Sequence, residues 1–222
     1  MANIDTLRIP RCLKTRCDDP SSRTLHCFCD ASTKGYGTVL YLRTAYPSGH
    51  VDVKFVIGKT RVAPVKFVSI HRLELQAAQL GSRITASILE PLGLGIGCVT
   101  FWSDSQTVLR WLRSRTMKFH VFVANRVADI LDVTSASQWR YVATDDNPAD
   151  DCSRGLYGSV VSVTHRWFAG PKFLSQNEEN WSVNIVTPEP ESADPEVDGP
   201  IVICLLKAQV PSPSSSHFCS VQ

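Results

Sequence analysis

Between residues 24 and 59 three runs, "TLHCFCDA", "GTVLYLRTAY" and "HVDVKFVIGK", are dense in Val, Phe, Tyr and Thr, and the turn "PSG" parts the last two. Such runs, bounded by turn residues, predict strands, here an antiparallel meander. The period then changes. In "SIHRLELQAAQLGSRITASIL", residues 69–89, Ile70, Leu73, Ala77, Leu80, Ile84 and Ile88 recur at helical spacing and predict a helix with that stripe inward. "PLGLGIG" breaks it, and "CVTFWSD" is a short, nearly continuous apolar strand. "SQTVLRWLRS" and "HVFVANRVADILDVT" read as helices, and "SQWRYVAT" as a last strand. "NPADDCSRGLYG" reads as a short helix with Asn147 at its N-cap, Pro148 first inside and Gly155 at its end. The order βββ, α, β, αα, β, α predicts an α/β domain, a mixed sheet flanked by helices.

Outside that order the pattern fades. Residues 1–22 are polar and irregular and are read as a linker; the domain is expected over 23–160. Residues 161–187 form a C-terminal extension with aromatic anchors but no clear period. Residues 188–222 are expected to be a disordered tail, acidic and proline-rich at its start and serine-rich at its end. The run "IVICLL" within it fits either a strand or a remnant of adjoining sequence.

A chain of 222 residues, 43% of them hydrophobic, can bury a substantial core. It has no apolar run of membrane-spanning length and no apolar signal-peptide core near its start, so an intracellular protein is expected, cytoplasmic or nuclear, with no membrane partner. The eight cysteines include no CxxC pair, and Cys27 and Cys29, alternating along a strand, are expected as buried thiols. From Pro188 onward five acids face one lysine, which leaves the preceding 187 residues mildly basic and compatible with a polyanionic partner.

Three acids sit where solvent is not expected. Asp30 closes the strand "LHCFCD", Asp104 closes "CVTFWSD", and Glu74 lies between Leu73 and Leu75. Desolvating a carboxylate is costly, so each needs a reason. Singly, Asp30 could cap a turn, Asp104 could cap the following helix, and Glu74 could pair with Arg72 or Lys66. Taken together with Asp150 of "NPAD", they can converge at one sheet edge, and converging carboxylates suit hard divalent cations.

The ordered blocks "FCDASTKGYGTVLYLR", "KTRVAPVK", "IHRLELQAAQL", "WSDSQTVLRWLRS", "FVANRVADI", "QWRYVATDDNPADDCSRG" and "GPKFL" resemble the ribonuclease H domain of BEL/Pao-type retrotransposon polyproteins, over about residues 25–175. The resemblance implies a ribonuclease H-like fold with a five-stranded mixed sheet. It implies an endonuclease that hydrolyses the RNA strand of RNA–DNA hybrids, with Asp30, Glu74, Asp104 and Asp150 holding two Mg²⁺ (or Mn²⁺) ions about 4 Å apart. A reverse transcriptase domain of the same element is an implied partner. The non-enzymatic alternative is an inherited scaffold that binds nucleic acid or protein without cutting.

Two departures from the family pattern stand out. Tyr141 occupies a place where related elements often carry His, and Asp151–Cys152 replaces the usual leucines after "NPAD". No YxDD or D[ST]G motif and no HHCC module is present, so the chain is read as a piece of an element or a gene derived from one.

The remaining assignments are finer. Adjacent helical residues point about 100° apart, so Asp150 and Asp151 cannot both face one metal. Local pattern does not choose between them. The resemblance aligns Asp150, leaving Asp151 as a solvated first-turn acid. Arg110 and Arg113, three apart on one helix, and Lys59 and Arg61 at the exit of the third strand could touch phosphates, with a solvated surface as the alternative. Trp102 and Trp111 are expected in the core. Gly35 and Gly37 are read as a turn that either lets a nucleic-acid backbone approach Asp30 or merely links two strands.

Overall fold

The computed structural model describes residues 8–9, 12–13, 19–116, 118–155, 162–181 and 194–197. The meander forms as expected: β1 (Ser22–Ala31), β2 (Gly35–Ala45) and β3 (Val51–Val62) pair antiparallel in sequence order. Helix α1 (Ile70–Leu92) then carries the chain over the sheet to β4 (Val99–Ser103), which joins β1 in parallel. Helices α2 (Gln106–Arg113) and α3 (Val121–Val133) precede β5 (Trp139–Tyr141), which extends the parallel side, followed by α4 (Asp150–Arg154) and α5 (Arg166–Ala169). The result is a five-stranded mixed sheet in the order β3-β2-β1-β4-β5.

Both faces of the central strands are covered, which is why β1 and β4 are apolar without alternation. On one face Leu25, Cys27, Cys29, Val99 and Phe101 pack beneath α1, α2 and α3 with Trp111 and Trp139. On the other, Phe28, Val39, Tyr41 and Trp102 meet Ala149, Phe173, Leu174 and Trp181. Trp102 and Trp111 are core residues, as expected, and the Cys27 and Cys29 thiols are buried and free.

The second face draws on residues beyond 160. Residues 162–181 complete one of the two cores rather than extend a finished domain: the Tyr41 hydroxyl donates to the Trp167 carbonyl at 2.8 Å, and Arg43 donates to the Leu174 carbonyl at 2.9 Å. The segment has no period because it is a string of short turns, so only its aromatics carry the signal.

The stripe on α1 is also rotated from expectation. Leu73, Ala77, Ala78, Gly81, Ser82, Thr85 and Leu89 are buried, whereas Ile84 and Ile88 flank the core and Ile70 is exposed. Small residues take the inward face because the helix lies close on β1. A Cβ at Gly81 would stand 2.6 Å from the Cys29 sulfur. The helix also runs through Pro91 and stops at Gly93, whose left-handed φ of 63° suits glycine.

The tail expected to be disordered falls outside the described residues except for 194–197, and those four lie against the domain. Their carboxylates find partners on α1 and α2, which acidic composition alone could not reveal. The run "IVICLL" and the linker residues 1–7, 10–11 and 14–18 are likewise outside the described residues. Among the described residues no helix is long and apolar enough to cross a membrane.

Candidate active site

Parallel pairing of β1 with β4 brings their C-terminal ends to one edge of the sheet, with Cys29 opposite Ser103. The next residue on each strand is an acid, so topology alone sets Asp30 beside Asp104. Glu74 reaches the same edge from the first turns of α1, on the face that packs on the sheet. Asp30, Glu74 and Asp104 line one cleft of about 410 Å³, together with Ser32, Thr144 and Arg154.

The acids are held by neutral donors. Ser153 donates to Asp30 through a short hydrogen bond. Thr144 donates to Asp104 at 2.8 Å and the Asn147 amide donates to its other oxygen at 3.4 Å. Ser105 donates to Glu74 at 2.6 Å, and His71 Nδ1 is hydrogen-bonded to the same oxygen at 3.0 Å. Burial, then the charge of Asp104, pushes the Asp30 carboxyl up to about 7. Burial and the Glu74 charge likewise raise Asp104, whereas Glu74 lifts the His71 imidazole above its ordinary value.

The bland readings of these acids do not hold. Ser105, not Asp104, caps α2, accepting from the Val108 N–H at 3.2 Å. Ser32, not Asp30, organises the β1–β2 turn, accepting from the Lys34 N–H at 3.1 Å. Glu74 is not paired with Arg72, which instead binds Glu196.

Asp150 stands apart. Its charge contributes to the rise at Asp30, so it is a neighbour, but it does not line the cleft: Arg154, one turn on, holds it in a close ion pair. Asp151 is not the solvated acid expected. Its side chain is 9% exposed and accepts two hydrogen bonds from Arg166, at 2.8 and 2.7 Å. The helix is therefore clamped to the 162–181 segment through Asp151, which fixes the direction of Asp150.

The basic residues divide. Lys59 and Arg61 are exposed near the end of β3, opposite Thr38 and Tyr36, at the end of the sheet where Asp30 lies two strands away. Arg113 is part of the scaffold instead, donating to the Trp139 carbonyl at 3.0 Å, with burial lowering its pKa. Arg110 donates to Thr107 at 3.0 Å. Gly37 lies within β2 opposite Asp30, and a Cβ there would meet the Lys59 carbonyl at 2.8 Å and the Cys152 sulfur. Its role is close packing of α4 on the sheet rather than turn formation.

Sequence reading missed Ser153, Ser105, Thr144 and His71 as partners of the acids. Asn147 was legible only as a cap: its Oδ1 does accept from the Ala149 N–H at 3.1 Å, while its amide serves Asp104. Only His71 is close in sequence to the acid it binds; Ser105, Thr144, Asn147 and Ser153 act on acids 31, 40, 43 and 123 positions away, so no local pattern marks them.

Oxygen donors converging at one edge, with no cation pairing Asp30, Glu74 or Asp104 among the described residues apart from His71, suit a hard divalent ion. In their present hydrogen bonds no three Asp, Glu, His or Cys side chains of the described residues close around a single point. The oxygen donors are of the kind that suits a hard divalent ion, and each carboxylate keeps lone pairs beyond its hydrogen bonds to Ser153, Thr144 or Ser105.

The five-stranded mixed sheet in the order β3-β2-β1-β4-β5, flanked by helices, is the ribonuclease H-like fold expected from the sequence. Residues 1–105 match the family model of the Pao retrotransposon-like RNaseH-like domain, which bears out the resemblance read from the motifs and includes Asp30, Glu74 and Asp104. No curated protein matches the chain. Among solved structures, the N-terminal RNase H domain of a Mycobacterium tuberculosis protein is 12% identical, with 58% of this chain and 95% of that one covered at a TM-score of 0.40. RNase H1 from Halobacterium salinarum is 12% identical over 59% of this chain and 92% of that one, at 0.38. LC11-RNase H1, solved in complex with an RNA/DNA hybrid, is 9% identical over 59% and 93%, at 0.34.

Proposed function

We propose that the protein is a ribonuclease H-type endonuclease that hydrolyses the RNA strand of RNA–DNA hybrids, with Asp30, Glu74, Asp104 and Asp150 as the ligands of two divalent ions. The observation that carries this reading is the meeting of Asp30, Glu74 and Asp104 in one cleft where, among the described residues, only His71 is ion-paired with any of the three, the guanidinium of Arg154 on the same cleft being engaged by Asp150. Bound Mg²⁺ or Mn²⁺ would supply an activated water and stabilise the charge on the leaving 3′ oxygen. The chain's own groups do the rest. Ser153, Thr144 and Asn147 orient the two strand-end carboxylates, Ser105 and His71 orient Glu74, and Lys59 and Arg61 offer a cationic rim to the phosphates. Recognition of the hybrid would rest on its shape and on the 2′-hydroxyls of the RNA strand.

The second reading, a scaffold that binds without cutting, draws on the ion pair that holds Asp150 on Arg154. One assay separates the two. A labelled hybrid, incubated with the protein and Mg²⁺, should be cut in its RNA strand, and EDTA should abolish cutting; duplex DNA should stay intact. Retention of the hybrid without cleavage, at any Mg²⁺ or Mn²⁺ concentration, selects the scaffold.

A further inference from the structure

We propose that residues 194–197 are an intramolecular strap lying over a binding site for the phosphate backbone of a nucleic acid, next to the carboxylate cleft. The inference rests on the reading of the protein as a hybrid-binding ribonuclease, and it adds a device that holds the substrate off.

The strap meets the domain through acceptors. Arg72 Nε and Nη2 donate to the two oxygens of Glu196 at 2.7 and 2.8 Å. Trp111 Nε1 donates to Asp194 at 2.6 Å, and the His120 backbone N–H donates to the Glu196 carbonyl at 3.0 Å. A guanidinium fork flanked by neutral N–H groups is the arrangement that binds phosphate oxygens as readily as carboxylates. Here two carboxylates of the chain itself take those places, and Glu196 is 7% exposed, so the contact is a buried one.

Its position links it to the cleft. Arg72 precedes Glu74 by two residues on α1, and His71, bonded to Glu74, meets the Trp111 ring edge-on at 6.5 Å. Glu74, His71, Trp111 and Asp194 therefore form a continuous row from cleft to strap. Below it the Phe122 ring has Arg72 at 4.9 Å and Arg126 at 3.5 Å, and Arg126 Nε is buried without a hydrogen-bond partner. Two guanidinium groups on one ring make a cationic surface that, bare, invites a polyanion. A backbone crossing from the cleft along this row must displace Glu196 from Arg72.

The test uses the full chain and a fluorescent RNA–DNA hybrid in EDTA, so that binding is read without cleavage. The Asp194→Asn/Glu196→Gln variant should bind about tenfold more tightly than the parent, as when a strap leaves roughly a tenth of molecules open. A Glu178→Gln/Glu179→Gln variant removes the same charge from the sheet's other face and should gain far less. Arg72→Gln frees the strap but loses the fork, and it should bind no more tightly than the parent. Thermal melting checks that each variant folds. Equal affinity of the strap variant and the parent overturns the strap and leaves hybrid binding standing, as does equal gain in the two double variants. Tightening by Arg72→Gln overturns the phosphate site, and a hybrid bound by none of the proteins overturns this inference, while absence of Mg²⁺-dependent cleavage by the parent is what overturns the proposed function.

Discussion

Two pairs of acids lie within one region of the molecule and are held in opposite ways. Asp30 and Asp104, at the ends of parallel strands, face hydroxyls, an amide and each other. Asp150 and Asp151, adjacent on α4, face arginines. Like charges brought together in a half-buried cleft raise one another's pKa and cost stability, whereas a buried carboxylate gripped by a guanidinium fork is satisfied. Among the described residues no cation pairs with either member of the first pair. The second secures a short helix, and of its two members only Asp150 is near enough to be recruited.

The largest effects should fall on the first pair. Asp104→Asn should lower Mg²⁺-dependent cleavage of a hybrid by roughly a hundredfold or more. The same change should raise stability in EDTA by about 1 kcal/mol, because it removes a repelling charge from Asp30. Urea denaturation checks the second half, and a loss of stability there contradicts the account of a strained pair. Asp151→Asn should do the reverse. By orphaning the half-buried Arg166 it should cost about 2 kcal/mol of stability, with cleavage lowered only as far as α4 loosens. Measured side by side, the two variants should separate activity from stability.

Acid titration sharpens the contrast further. His26, buried beneath Trp102 and Trp181, accepts from the Trp102 indole N–H at 3.2 Å, and burial, then Arg43, lowers it to about 3. Between pH 3 and 6.5 the unfolded chain therefore holds a proton that the native His26 lacks. Stability from this group is present above pH 6.5 and falls as the pH drops, by up to about 1.4 kcal/mol per unit. Asp30, raised to about 7, has the opposite sign: between pH 4 and 7 the native state holds the extra proton, and stability falls as the pH rises. The two slopes oppose each other over pH 4–6.5 in metal-free protein. Asp30→Asn should remove one and leave a profile that climbs more steeply with pH than the parent's. Parallel profiles for the two proteins would show that the Asp30 proton is not where the geometry puts it.

What the sequence could show follows from how local each determinant is. All five strands of the sheet and the helices α1 to α4 were legible, because strand runs and helical periods are carried by neighbouring residues. The α1 stripe was misread by rotation, since the helix turns small residues to the sheet and a hydrophobicity pattern favours large ones. The acids Asp30, Glu74 and Asp104 stand out for being polar at apolar places; parallel pairing of β1 with β4 brings Asp30 and Asp104 together, and the packing of α1 on the sheet adds Glu74. Asp151 was assigned to solvent because its partner, Arg166, lies fifteen residues on in a segment without period. The strap was invisible for the same reason, its Arg72 partner being 124 positions away from Glu196.

The smallest expected effect lies at the link between the pairs. Arg154 is 64% exposed at its side chain and holds Asp150 across one helical turn, on the rim of the cleft that Asp30 and Asp104 line. Arg154→Gln should loosen Asp150, leaving it only the longer contact with Arg166 at 3.7 Å, without disturbing α4, because Asp151 still anchors the helix to Arg166. A freed carboxylate beside Asp30 adds negative charge to the cleft, so divalent cations should bind more tightly. An exposed ion pair is worth about 0.2–1 kcal/mol, so its loss should lower the half-saturating Mg²⁺ concentration by at most about fivefold. Cleavage of the hybrid titrated against Mg²⁺ reads this directly. Asp150→Asn, which removes the carboxylate itself, should shift the same titration the other way and lower the plateau. If Arg154→Gln instead weakened Mg²⁺ dependence or left it unchanged while Asp150→Asn was silent, Asp150 would belong with Asp151 as a structural acid, and the cleft would work with Asp30, Glu74 and Asp104 alone.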